Sequence, residues 1–196
     1  MPPEGLRRFD ATELRRFLAA IDASLPGRAR VVLLGGSALA VGYQLDTGTT
    51  DIDTWETDLA AVQPAAERAR EVTGLQIPVG DAGVADAPYQ YESRLVRVMP
   101  ELQHLEVFVL EKHDLALSKI MRCHEGDLAG IQALHRRHGL DRETLVARYM
   151  TEMDHAIGDP KRIDLNLQVA VERLYGEAEA AAVGRRLDAW RQRGAR

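Results

Sequence analysis

The most informative segment of the chain is Val31-Val32-Leu33-Leu34-Gly35-Gly36-Ser37, followed after thirteen residues (38–50) by Asp51-Ile52-Asp53. An apolar run that ends abruptly at glycines predicts a buried strand and a tight turn into a helix. In a strand, residues i and i+2 point to the same face. We therefore expect Asp51 and Asp53 to project side by side from a second strand.

Two carboxylates held this close repel each other unless a cation or a proton lies between them. Such oxygens suit Mg²⁺ (or Mn²⁺), which keeps several waters and takes further ligands from substrate phosphates. Glycines let the backbone approach a phosphate closely, and a helix N-terminus offers unpaired N–H groups. The candidate metal ligands are therefore Asp51 and Asp53, and the candidate nucleotide-binding residues are Gly35, Gly36 and Ser37. In the alternative interpretation, the turn needs glycine only for its backbone angles.

Hydrophobic periodicity and turn signals place strands in the first half of the chain and helices in the second, which indicates an α+β layout. A capping box at Asp10 and Glu13 marks the start of the first helix. The predicted strands are 30–34, 51–56, 75–79, 94–99 and 104–110, with a hairpin turn at Pro100-Glu101. The predicted helices are 11–24, 37–44, 58–74, 114–124, 127–137, 141–157 and 163–193, the last with a break near Gly176.

Composition narrows the class of protein. At 196 residues and 45% hydrophobic, the chain can bury one sizeable core, and its net charge of −5 gives no strong basic field for nucleic acid. The single cysteine, Cys123, excludes an intramolecular disulfide and suits a reducing compartment. No apolar run approaches the ~20 residues needed to cross a bilayer. We expect a soluble, cytoplasmic protein with no membrane partner.

Glu106 is a third candidate carboxylate. It lies between Leu105 and Val107 in a predicted strand, where a charged residue needs a reason. If this strand lies beside the strand that carries Asp51 and Asp53, three carboxylates would converge on one or two metal ions. Alternatively, Glu106 faces water on an edge strand.

The segment from Val31 to Asp53 resembles the signature of the DNA polymerase β-type nucleotidyltransferase superfamily. Within it, Leu33-Leu-Gly-Gly-Ser-Ala-Leu and Thr49-Thr-Asp-Ile-Asp-Thr-Trp resemble bacterial minimal nucleotidyltransferases, including the AbiEii-like and MenT-like toxins of toxin–antitoxin systems. A second block is similar to a helical segment of those families, and reads Asp114-Leu-Ala-Leu-Ser-Lys119-Ile-Met-Arg122 followed by Asp127-Leu-Ala-Gly-Ile131. The resemblance covers roughly residues 30–145.

This resemblance implies a minimal nucleotidyltransferase fold, which is a small mixed β-sheet flanked by helices. Residues 1–111 would form the core with its N-terminal helix, and residues 112–196 a helical C-terminal region packed on it. The resemblance also implies that Lys119 contacts the triphosphate and that Asp127 is a polar partner near the site. Arg122, one turn after Lys119, could share its role. Alternatively, Lys119 extends from an apolar helix face to solvent.

The resulting hypothesis is a Mg²⁺-dependent nucleotidyltransferase that moves a nucleoside monophosphate from an NTP to an acceptor hydroxyl. Asp51 and Asp53 would hold the metal, Glu106 would complete the site or act as the base, and Lys119 would steady the triphosphate. Trp55, beside the aspartates, is expected either to line the nucleotide or acceptor pocket or to belong to the core. The resemblance implies RNA, such as a tRNA 3′ end, as acceptor and a cognate antitoxin as partner.

Three alternatives stay open at this point. The acceptor could be a small molecule such as an aminoglycoside, or a protein side chain. A nucleotide-binding module whose chemistry has decayed would bind triphosphate without releasing pyrophosphate, and it predicts a Glu106 turned away from the aspartates. An unrelated α+β protein predicts no cleft between residues 36 and 53.

Overall fold

The chain folds as two units. The structure is a computed structural model, and it describes residues 7–55, 57–83 and 86–194. The first unit comprises Met1–Ala85 and Leu95–Leu110, and the second comprises Asp86–Arg94 and Glu111–Arg196. The short segment 86–94 therefore belongs with the later helices, although the chain returns to the first unit after it.

The first unit is built on a five-stranded mixed sheet. Its strands are β1 (Ala29–Leu33), β2 (Ile52–Trp55), β3 (Val79–Asp81), β4 (Val96–Val98) and β5 (Leu105–Val109). They lie in the order β3-β2-β1-β5-β4. β1 pairs antiparallel with β2 and parallel with β5, β2 pairs parallel with β3, and β4 pairs antiparallel with β5. The apolar run of β1 is buried because this strand lies at the centre of the sheet.

Among the described residues of the first unit, three helices accompany the sheet. They are α1 (Ala11–Ser24), α2 (Gly35–Ser37), which continues as a π-helical segment (Ala38–Gly42), and α3 (Leu59–Thr73). The predicted capping box at the start of α1 is formed, since the side chains of Asp10 and Glu13 each accept the other residue's backbone N–H. The buried face of α1 packs against α3, which begins after Asp58 and runs through Pro64 to Gly74. Local capping signals thus predicted both long helices correctly.

Some predicted bounds of the strands are wrong. The strand expected at 75–79 begins only at Val79, because Pro78 has no N–H to donate and the Ile77 carbonyl accepts from the Arg70 side chain at 3.1 Å. The strand expected at 94–99 is limited to Val96–Val98, since Tyr91–Arg94 form a 3₁₀ turn. The hairpin around Pro100-Glu101 is confirmed by the antiparallel pairing of β4 with β5. Residue 56, at the end of the predicted strand 51–56, lies outside the described residues. The same holds for residues 84 and 85 in the loop after β3.

The second unit is helical. Its helices are α4 (Lys112–Arg122), α5 (Glu125–His138), α6 (Arg142–Glu152), α7 (Pro160–Tyr175) and α8 (Glu177–Gly194). α4 contacts α5, α6 and α7, and α7 packs along α8. The predicted break at Gly176 is confirmed, with φ +97° between α7 and α8. The helix expected at 141–157 ends earlier, and α7 begins earlier than expected, because Asp159 caps it and Pro160 takes its first position.

Together, these elements confirm the predicted fold class. A small mixed sheet with helices precedes a helical C-terminal region, as in the minimal nucleotidyltransferase fold. Throughout the described ranges, every helix is either too short or too polar to span a bilayer.

Candidate functional site

Asp51 is the last residue of the loop before β2, and Asp53 lies within this strand. Ile52 and Thr54 are buried, whereas Asp51, Asp53 and Trp55 are half-buried. This alternation follows from the two-residue period of a strand. Asp53 and Trp55 therefore belong to the more open face of β2, and Asp51 lies immediately before this strand.

Gly35 lies directly against the Asp53 carboxylate. Its φ of +59° falls in the left-handed region, and a Cβ added there would lie 3.0 Å from Asp53 Oδ2. Next to it, the Leu34 N–H donates to the Asp53 carbonyl at 2.9 Å. Any side chain at position 35 would thus press on the carboxylate as well as strain the backbone. The glycine turn and the Asp-x-Asp pattern, separated in sequence, meet here.

Gly36 makes the second contact of this kind, with Thr49. A Cβ added at Gly36 would lie 2.8 Å from Thr49 Oγ1, and this hydroxyl donates to Asp51 Oδ1 at 3.2 Å. The Thr49 backbone exchanges two hydrogen bonds with Phe9, of 2.7 and 3.1 Å. Thr49 therefore links the glycine turn to the first aspartate. Sequence analysis missed this role, although a hydroxyl two residues before a key carboxylate is a signal for it.

Ser37 is buried, and its Oγ donates to the Leu34 carbonyl at 2.8 Å. A phosphate contact by this hydroxyl would require that hydrogen bond to be exchanged. The helix that begins at Gly35 has no side-chain cap at Leu34. Its first backbone N–H groups are therefore the donors that this turn can offer to an anion.

Glu106 is not brought to the aspartates. Its register partner in the parallel pair with β1 is Arg30, whereas Asp53 bonds to Leu34, at the opposite end of β1. Four residues of strand correspond to about 13 Å. The Glu106 side chain is 39% exposed and lies 3.8 Å from Arg97 Nη2 on the edge strand β4. Within the described residues, no three acidic, histidine or cysteine side chains come together as a metal-binding group.

Three further predicted residues meet in the second unit. Lys119 Nζ and Arg122 Nη2 each lie 2.9 Å from the same oxygen of Asp127, Oδ1. Lys119 and Asp127 are buried, so the alternative of a solvated Lys119 is wrong, while the Arg122 side chain is 57% exposed. Burial acts to raise the pKa of Asp127, but the two cations and their hydrogen bonds outweigh it and lower this pKa. Asp127 is therefore an ionised partner of Lys119.

Comparison with models of known protein families identifies a match. A model of the family described as "Nucleotidyltransferase of unknown function (DUF6036)" matches residues 12–175, well over half of the chain. No curated protein and no solved structure matches the chain. The matched range contains the glycine turn, the aspartates of β2, and the Lys119–Asp127 pair.

Proposed function

This chain belongs to the nucleotidyltransferase family DUF6036, and we propose that it transfers a nucleoside monophosphate from an NTP to an acceptor hydroxyl. The observation that carries this proposal is the approach of Gly35 to the Asp53 carboxylate. This contact places backbone N–H groups, which can donate to phosphate oxygens, beside a carboxylate that can bind the Mg²⁺ ion accompanying those phosphates.

The residues at this site fit a divalent cation. Asp51, just before β2, and Asp53, on the more open face of β2, would supply hard oxygen ligands. Mg²⁺ needs only one or two carboxylates from the protein when waters and phosphates complete its shell. Asp51 and Asp53 would therefore hold Mg²⁺ (or Mn²⁺), which neutralises charge on the phosphates. Glu106 is left out of the proposed site because its strand register separates it from Asp53.

In the proposed reaction the acceptor oxygen forms a bond to the α-phosphorus, and the bond from that phosphorus to the β-phosphate oxygen breaks. Pyrophosphate leaves, and the acceptor hydroxyl loses its proton to water. The backbone N–H groups at Gly35 and Gly36 orient the phosphates, and Thr49 holds the Asp51 carboxylate through its hydroxyl. Lys119 and Arg122 stay predicted triphosphate contacts.

For the acceptor, we propose RNA, such as a tRNA 3′ end, with a toxin role of the AbiEii-like or MenT-like kind and a cognate antitoxin as partner. Support for this part comes from the resemblance of Thr49–Trp55 and Asp114–Ile131 to those families. Small-molecule and protein acceptors use the same chemistry. An antibiotic-inactivation panel and mass spectrometry of co-expressed proteins separate them from RNA.

The direct test incubates the protein with labelled NTPs, Mg²⁺ and total RNA. We expect metal-dependent label transfer that Asp53→Asn lowers by at least about 100-fold, since phosphoryl transfer depends on electrostatic stabilisation. Glu101→Gln, an exposed residue in the turn between β4 and β5, is the matched control and should retain activity. The absence of label on any acceptor would contradict the proposal.

The placement of Glu106 favours a second candidate, a nucleotide-binding module whose chemistry has decayed. This hypothesis predicts a Glu106 turned away from the aspartates, as observed. It predicts NTP binding by the wild-type protein without pyrophosphate release. Calorimetric binding alongside the label-transfer assay therefore distinguishes the two candidates.

A further inference from the structure

The loop that leads into β2, residues 44–51, has a backbone that is unfavourable without outside support. Gln44 has φ +53°, in the left-handed region that residues other than glycine rarely adopt. Gly48 has φ +52° and the backbone freedom of glycine, so it does not fix the loop by itself. The Thr47 hydroxyl is buried and has no hydrogen-bond partner among the described residues. Because these features cost free energy, contacts from another part of the chain have to hold the loop.

Arg8 and Phe9, which we call the N-terminal strap, supply such contacts. The Arg8 guanidinium donates from Nη2 to the Thr47 carbonyl at 2.6 Å and to the Gly48 carbonyl at 2.7 Å. Phe9 is buried, and its backbone exchanges hydrogen bonds of 2.7 and 3.1 Å with that of Thr49. Four hydrogen bonds therefore join the strap to three consecutive residues of the loop.

The strap is itself fixed to the start of α1. The residue after it, Asp10, is the N-cap of this helix and forms the capping box with Glu13. Arg7, the residue before it, pairs with the same Glu13 carboxylate, and its guanidinium lies 5.1 Å from the centroid of the Phe9 ring. The buried face of α1 packs against α3. Through the strap, the loop is therefore tied to a helix of the core.

The two aspartates of the candidate site depend on this loop to different degrees. Asp53 lies within β2, which pairs with β1 on one side and with β3 on the other. Asp51 lies outside the strand, and its Oδ1 accepts from the Thr49 hydroxyl at 3.2 Å. Thr49 is also the residue that the backbone of the strap binds. A shift of Thr49 would therefore move Asp51 and leave Asp53 in place.

We propose that Arg8 is a positioning residue of the candidate metal site. It binds the carbonyl groups of Thr47 and Gly48 and so holds the loop in the conformation that brings Asp51 to the divalent cation. Arginine suits this role because one planar guanidinium can donate to both carbonyl oxygens. Arg8 touches neither metal nor nucleotide and acts through the loop alone. This inference rests on the proposed function, since it takes Asp51 as a metal ligand.

The first test measures the loop in the absence of metal and substrate. Amide hydrogen exchange, followed by NMR in EDTA, compares the wild-type protein with Arg8→Gln. We expect the Thr49 amide, which donates to the Phe9 carbonyl, to exchange roughly tenfold faster in the variant, because two of the four bonds to the loop are lost. The Ile52 amide, which donates to the Pro78 carbonyl at 2.8 Å, should keep its rate.

Arg68→Gln is the matched control. Arg68 is also exposed, and its Nη2 donates to the Ser24 carbonyl at 2.6 Å, at the opposite end of α1. This variant removes a bond of the same kind away from the loop, so it should leave the exchange of the Thr49 amide unchanged. Arg8→Lys keeps a cationic donor and should restore part of the protection of this amide.

Mn²⁺ binding, followed by electron paramagnetic resonance without nucleotide, measures the consequence for the metal site. Asp51→Asn sets the scale of the effect, because it alters the ligand itself. Arg8→Gln should weaken Mn²⁺ binding about threefold to tenfold, the factor expected when one ligand is held less firmly. Arg68→Gln should bind Mn²⁺ as the wild-type protein does.

The proposal is overturned if the Thr49 amide exchanges alike in Arg8→Gln and Arg68→Gln. It is also overturned if Arg8→Gln keeps the wild-type affinity for Mn²⁺ while Asp51→Asn loses it. Mn²⁺ binding that Asp51→Asn leaves unchanged contradicts the proposed function instead, because Asp51 is then not a ligand. In that case the exchange rates alone decide whether Arg8 holds the loop.

Discussion

Gly35 illustrates how one residue shapes the candidate site. Two demands meet at this position: a left-handed backbone, with φ +59°, and the Asp53 carboxylate 3.0 Å from any added Cβ. Gly74, which ends α3, has a similar φ of +70° but no heavy atom within 4 Å of an added Cβ. A substitution at Gly74 therefore tests backbone strain alone, whereas a substitution at Gly35 tests backbone strain together with displacement of the Asp53 carboxylate.

We expect Gly35→Ala and Gly74→Ala each to lower the free energy of unfolding by about 1–2 kcal/mol, because each forces a left-handed alanine. Only Gly35→Ala should also reduce metal-dependent label transfer, since only its methyl group displaces Asp53. Urea denaturation measures the first effect, and the label-transfer assay measures the second. Equal losses of transfer in both variants would contradict the role given to Gly35.

At Thr49, the prediction concerns a hydrogen bond. Thr49→Val keeps the shape of the side chain but removes the donor to Asp51 Oδ1, and Thr49→Ser keeps the donor. The Mg²⁺ concentration for half-maximal label transfer should rise about threefold to tenfold in Thr49→Val, equivalent to ~1 kcal/mol. Thr49→Ser should restore the wild-type value. A purely structural role would instead lower the stability of both variants without moving the Mg²⁺ dependence.

At the scale of elements, one ion network joins segment 86–94 to α4 and α6. Asp114, fully buried at the start of α4, accepts from Arg94 at 2.8 and 3.1 Å and from Arg148 at 2.8 Å. Arg94 also donates to Glu152 at 2.7 Å. Through these contacts the side chain of Asp114 holds together three parts of the second unit.

We expect Asp114→Asn to lower the free energy of unfolding by about 1.5–3 kcal/mol, because Arg94 and Arg148 lose the buried carboxylate that they share and keep, among the described residues, only Glu152 and Glu111 as anionic partners. The control is Glu143→Gln, which breaks exposed ion pairs with Arg142 and Arg186 and should cost at most about 1 kcal/mol. Urea denaturation followed by circular dichroism compares the two variants. Similar midpoints for both would show that the Asp114 network does not stabilise the unit.

For the whole molecule, paired carboxylates make stability depend on pH. Burial acts to raise the pKa of Glu111, but hydrogen bonds from His113 and Arg148 outweigh it and lower this pKa from 4.5 to about 2. The pKa of Asp127 is lowered as well, by Lys119 and Arg122 against the opposing effect of burial. A carboxylate whose pKa is lower in the folded state stabilises the protein above its unfolded pKa and loses this effect on acidification.

The free energy of unfolding should therefore fall as the pH decreases from about 4.5 towards 2, with Glu111 contributing on the order of 2–3 kcal/mol. Urea midpoints measured at several pH values test this prediction. Glu111→Gln should flatten the profile in that window. A variant profile with the wild-type slope would exclude Glu111 as a main contributor.

The amino-acid sequence alone was sufficient for features that depend on near neighbours in the chain. The capping pair Asp10 and Glu13, the stop at Gly74 and the break at Gly176 follow from groups within a few residues of each other. The outward position of Asp53 between the buried Ile52 and Thr54 follows equally from the strand period. Such contacts are short in sequence, so propensity and periodicity predict them.

Only the tertiary structure decided the contacts between distant residues. The register of β5 against β1 sets Glu106 opposite Arg30, and the docking of segment 86–94 brings Arg94 to Asp114. The start of β3 likewise depends on Arg70 of α3, which binds the Ile77 carbonyl. These pairings depend on which strands and helices pack together. The packing of strands and helices is determined by the free energy of the whole fold. Local sequence patterns carry no information about that free energy, so they do not predict these pairings.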